Sequence, residues 1–131
     1  MKIYQGVDIV QIPKLREIME RNKNFVTDIF TEQERDYCMS KKDPSIHFAG
    51  RYAAKEASLK ALGTGISGID NSFQDIETVP GSSGKPELSM RGWTKKISSK
   101  KGISQMTVSI SHTVDYAVAT VILTGNEERG E

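Results

Sequence analysis

A single cysteine, Cys38, excludes a disulfide within the chain and points to a reducing compartment. Neither sign of charge is in excess: 18 Lys and Arg stand against 17 Asp and Glu, so there is no global cationic field of the kind that binds nucleic acid. No apolar run approaches the roughly 20 residues of a membrane span. The start, MKIYQGVDIV, lacks the architecture of a cleavable signal peptide. The expected setting is the cytoplasm, with neither nucleic acid nor membrane as partner. Two histidines and one cysteine are too few for a closed zinc site, and no glycine-flanked serine marks a hydrolase elbow. Hydrophobic residues are scarce too, 37% against 27% charged, so the core is lean and a subunit interface is expected to supply further burial.

What is present is a set of strand and helix signals long enough for one domain, expected over residues 1–125 with a frayed tail at 126–131. KIYQGVDIV predicts a strand ending near Asp8 to Val10. Pro13 opens a basic helix that runs through roughly Arg21, with Lys23 at its far end. Thr31 and Glu34 have capping-box spacing and start a helix that ends near Met39. A long helix begins near Ser45 or Ile46 and ends at Leu62, where Gly63 and Gly65 supply left-handed conformations. SFQDIETV and PELSM flank PGSSGKP as a hairpin, RGWTKKISSKK is a short basic helix, and QMTVSIS and DYAVATVIL form a second hairpin. That order is not the alternation of a doubly wound parallel sheet. It predicts an α+β fold, an antiparallel sheet with packed helices.

The chemistry concentrates in the long helix. Helical spacing places Tyr52, Glu56 and Lys60 in one row, while Ala53, Ala54 and Ala57 leave the cylinder open to close approach by other backbone. Asp8 interrupts an otherwise apolar strand, where an ionised carboxylate is costly unless paired or bound to a cation. Taken singly, Asp8 reads as an edge-strand residue facing water, and Glu56 as half of an intrahelical pair. Taken together, two carboxylates on different rigid elements suit magnesium, which accepts few protein ligands and keeps several waters. Lys60 would face the same phosphates as a mobile point charge. His112 stands at the mouth of the last hairpin, where its ring can reach a ligand.

GVDIV at 6–10, FAGRYAAKEASLKALGTG at 48–65, SFQDIE at 72–77, GKP at 84–86 and SISHT at 109–113 together resemble bacterial holo-acyl-carrier-protein synthase. The blocks span nearly the whole chain in the family's order. The resemblance implies a single-copy 4′-phosphopantetheinyl transferase fold and transfer of phosphopantetheine from coenzyme A to a serine of apo acyl carrier protein, a step of fatty acid biosynthesis that releases adenosine 3′,5′-bisphosphate. It implies Mg2+ held by Asp8 and Glu56, and Lys60 at the diphosphate. Glu56, Asp8 or a water polarised by either accepts the serine proton. His112 is implied in the coenzyme A pocket near the 3′-phosphate, with Arg51 and Lys85 as further phosphate contacts and Gly63 and Gly65 as points of backbone approach. Lys14, Arg16, Arg21 and Lys23 are implied to dock the acidic carrier. Larger relatives carry two copies with a site between them, so the single copy is expected to form its site between subunits, and the resemblance implies a homotrimer. Tyr52 departs from the Phe or Trp of the family pattern and keeps the ring. A non-catalytic binding module and a magnesium-dependent coenzyme A hydrolase are the alternatives.

Overall fold

The computed structural model describes residues 1–63 and 73–126. The elements follow in the order β1 (Lys2–Gln11), α1 (Ile12–Arg21), α2 (Phe25–Ile29), α3 (Glu32–Met39), α4 (Pro44–Leu62), β2 (Ile76–Pro80), β3 (Pro86–Met90), α5 (Gly92–Lys100), β4 (Ile103–His112) and β5 (Tyr116–Gly125). β1, β5 and β4 form an antiparallel sheet with β5 in the middle, and β2 and β3 form a separate antiparallel pair. The α+β expectation holds, with its two hairpins in place.

Local chemistry explains the boundaries. Thr31 accepts from the Glu34 amide while the Glu34 carboxylate accepts from the Thr31 amide, so the expected capping box is complete. Asp43 caps α4 through the Ser45 amide, and Pro44 takes the first helical position, where its missing N–H costs nothing. Gly63 ends the helix at φ 80°, a left-handed value that favours glycine.

Helix α4 lies across all three strands of the larger sheet. Its sheet-facing surface is built from small residues, and the approach is closest at Gly6, where an added Cβ would overlap the Ala57 carbonyl. The pleat then puts Asp8, two residues on, on the helix-facing side of edge strand β1. The core divides into a cluster beneath α4, with Ala57, Leu59, Val121 and Leu123, and a second one around Phe30 and Phe48 that seats α1 and α3. Met19 and Phe25 pack against the second cluster.

Several boundaries differ from expectation. The first strand continues to Gln11, and α1 stops at Arg21, which leaves Lys23 in the following turn. A fourth helix before the hairpin, α2, has no side-chain cap hydrogen bond and only five residues, so it leaves no periodic signal. The strand expected from Ser72 begins at Ile76, because Phe73 to Asp75 form a turn. The expected roles of Gly65 and of the tail from residue 127 lie outside the described residues.

Candidate active site

The β1–α4 contact brings the three central candidates together. The Lys60 Nζ donates to Asp8 Oδ1 at 3.0 Å and to the Val7 carbonyl at 3.1 Å. Glu56, one turn earlier on α4, is half-buried and within the electrostatic and hydrogen-bonding reach of Asp8. Burial pushes the Glu56 carboxyl above the usual carboxylate range, and the neighbouring Asp8 charge adds to this. The Tyr52 hydroxyl and Lys60 act in the opposite direction. Two carboxyls crowded on rigid elements, one of them reluctant to ionise, form a donor set that a divalent cation would relieve. Among the described residues no third His, Cys, Asp or Glu joins them, which fits a cation that retains water and excludes a closed cage.

A second cluster lies where α3, α4, the β2–β3 hairpin and the end of β4 meet. Arg51 and His112 share a pocket of about 200 Å³ with Tyr37, His47, Pro80, Gly84, Pro86 and Ile110. Arg51 is only 6% exposed, and its Nε has no hydrogen-bond partner among the described residues. His112 pairs in register with Ala117, two residues before the partner of Asp8, Ala119, so both candidates stand on the α4 side of the sheet. Sequence patterning singles out neither His47 nor Tyr37. Their part in the pocket depends on α3 and α4 meeting, which spacing along the chain does not reveal.

The remaining candidates are more dispersed. Lys85 is exposed and borders adjoining pockets along β3 and β4, not the one shared by Arg51 and His112. Gly63 closes α4 just past Lys60. Lys14 and Arg16 border a shallow pocket on α1 with Gln11, Pro13, Glu17 and Glu20. Arg16 is also tied to the start of α4, donating to Ser45 Oγ at 3.0 Å and pairing with Asp43 at 3.5 Å. Arg21 is exposed at the end of the same helix.

Behind the site, Lys55 spends its charge internally. It is fully buried, pairs with fully buried Glu34 at 2.7 Å and donates to the carbonyls of Phe73 and Ile76. Glu34 is completed by the amides of Thr31 and Thr78. Of the two lysines in KEASLK, one therefore fixes the scaffold and the other faces the site. Among the described residues no helix is long and apolar enough to cross a membrane.

Comparison with known proteins concerns the chain as a whole. The holo-[acyl-carrier-protein] synthase of Caldanaerobacter subterraneus subsp. tengcongensis is 44% identical over 127 residues, covering 97% of this chain and 98% of that protein. The ACPS–CoA complex of Chronobacterium ammoniagenes superposes with a TM-score of 0.84 at 31% identity, over 97% of this chain and 100% of the other. The holo-[acyl-carrier-protein] synthase of Helicobacter pylori, solved in complex with coenzyme A, gives 0.78 at 29% identity, over 92% and 99%. With residues 5–121, which include both clusters, matching the family as a whole, the chain belongs to the 4′-phosphopantetheinyl transferase superfamily.

Proposed function

We propose that the chain transfers the 4′-phosphopantetheine group of coenzyme A to a serine hydroxyl of an apo acyl carrier protein, as a holo-[acyl-carrier-protein] synthase in fatty acid biosynthesis. The serine oxygen bonds to the β-phosphorus, the bond from that phosphorus to the bridging oxygen breaks, and adenosine 3′,5′-bisphosphate departs. The observation that carries this reading is the meeting of Asp8, Glu56 and Lys60 at one point of the β1–α4 contact.

Asp8 and Glu56 are the residues that would hold Mg2+, which when bound supplies positive charge at the diphosphate. Glu56 is assigned to accept the serine proton, directly or through a water, as a half-buried carboxylate held beside Asp8 and Lys60. Lys60, whose side chain is 54% exposed, is free to turn from Asp8 toward the departing phosphate. Arg51 and His112 take the remaining phosphate of coenzyme A, with Lys85 and Gly63 at the edges of the donor site. Exposed Lys14 and Arg21, the half-engaged Arg16 and the turn residue Lys23 present positive charge to the acidic carrier, which speeds encounter and weakens with salt.

A homotrimer fits the sheet's outer face. Ile3, Val7 and Ile9 of β1 and Tyr116 and Ile122 of β5 are exposed there, a larger apolar surface than a lean monomer ordinarily leaves in water. A neighbour seated on that face contributes part of the coenzyme A pocket. Residues 1–125 act as one transferase unit in this arrangement.

Intact mass spectrometry of an apo carrier after incubation with the protein, Mg2+ and coenzyme A tests the proposal. A phosphopantetheine adduct on the carrier is expected. Cleavage of coenzyme A without an adduct would mean hydrolysis, and an unchanged donor would mean a binding module.

A further inference from the structure

The Arg51 guanidinium is withdrawn from water, yet among the described residues no acidic one lines its pocket. A buried cation is costly unless something compensates it. The compensation comes from an aromatic ring: the Arg51 Cζ lies 4.1 Å from the centroid of Tyr37. The same ring holds the Lys41 Nζ at 4.7 Å and meets His47 edge-on at 5.8 Å. One α3 side chain thus gathers Arg51, Lys41 and His47, and His112 closes the pocket from β4. The field there is cationic, because burial, Arg51, Lys41 and His112 all depress protonation of His47, with only Asp43 opposing.

The choice of holder decides what the pocket can bind. A carboxylate would neutralise the guanidinium and consume its donors. A ring face attracts the cation through its quadrupole and takes no N–H, leaving charge and donors for a ligand. It also fixes the guanidinium plane in advance, so less rotamer freedom is lost on capture.

We propose that Tyr37 is a positioning residue which aims Arg51 into this pocket and thereby makes the protein selective for a donor bearing a terminal phosphomonoester, coenzyme A over 3′-dephospho-coenzyme A. This rests on the assignment of Arg51 and His112 to that phosphate, and the experiment separates the two. Binding of each donor is measured by isothermal titration calorimetry, without carrier protein, for the unaltered protein, Tyr37→Leu and Tyr37→Phe, with thermal melts alongside. Tyr37→Leu is expected to weaken coenzyme A binding about tenfold and to leave 3′-dephospho-coenzyme A within about twofold, while Tyr37→Phe keeps both. Selectivity preserved in a folded Tyr37→Leu protein overturns the role of Tyr37 alone. Equal binding of the two donors by the unaltered protein overturns the phosphate assignment and the role with it. Should Tyr37→Leu not fold, Tyr37→Met, which fills the space without a ring face, takes its place; loss of selectivity there supports the proposal and its retention overturns it.

Discussion

Glu56 sits where burial and a neighbouring carboxylate both resist its ionisation, and a single atom change separates its possible roles. Glu56→Gln preserves volume and removes the charge, so the half-buried site keeps its packing. Turnover should fall on the order of 10²- to 10⁴-fold with the thermal midpoint nearly unchanged, as expected for loss of a general base. Mn2+ affinity, read by electron paramagnetic resonance, should fall in parallel if the carboxylate also holds the metal. Near-normal turnover would remove Glu56 from the chemistry. His47 contributes a pH dependence near neutrality. Its folded pKa lies below the free value because burial, Arg51, Lys41 and His112 outweigh Asp43. The sign follows: the stability tied to neutral His47 is complete above the unfolded pKa of about 6.5 and is lost as pH falls through the lower folded value. Urea midpoints of the ligand-free protein should therefore drop below pH 6.5, and His47→Gln should flatten that part of the profile. An unchanged profile in the variant would place the acid sensitivity elsewhere.

At the scale of elements, what could be read in advance follows from how local the cause is. The capping box at Thr31, the Gly63 stop of α4, and the turn-rich link between β2 and β3 depend on a few neighbouring residues, so the chain announces them, whereas α4 starts at Pro44, ahead of the expected Ser45 or Ile46. The row of Tyr52, Glu56 and Lys60 is legible for the same reason, and the run of alanines correctly signals close backbone approach, realised at Gly6. Helix α2 is hidden because its support is tertiary, through Phe25 and Val26 against the second core cluster. Lys55 is the most deceptive case: a lysine beside a glutamate in a helix looks solvated, yet its partner is Glu34, on another helix. Burial drives the Lys55 ammonium toward its neutral form, and Glu34 opposes this most strongly. Breaking such a pair strands a charge and costs about 3–5 kcal/mol, whereas removing both charges costs much less. Lys55→Met should accordingly lose more stability in urea denaturation than Glu34→Gln/Lys55→Met. Losses that simply add across the two sites would show that the pair does not operate as a unit.

For the whole molecule, the decisive feature is a sheet with one face covered and, among the described residues, the other bare. Helix α4 shields the side bearing Asp8 and His112, while the opposite side of β1 and β5 offers Ile3, Val7, Ile9, Tyr116 and Ile122 to solvent. An antiparallel sheet whose outer face is meant for water ordinarily alternates apolar and polar residues. Here apolar side chains persist on both faces, and the proposed homotrimer would complete that burial between copies. Ile122 lies on the central strand, in register with Gln5 on one side and Thr107 on the other, so it occupies the middle of that face. Lysine at this position remains solvated in a separate subunit but would lose its hydration against a neighbour. On the proposed assembly the unaltered protein is expected to run as a trimer in light scattering and Ile122→Lys as a monomer. Because neither Asp8, Glu56 nor Lys60 is touched, any loss of phosphopantetheine transfer in that monomer reports a missing contribution from the adjoining subunit. A monomeric Ile122→Lys protein with undiminished transfer would show that one copy carries the complete site.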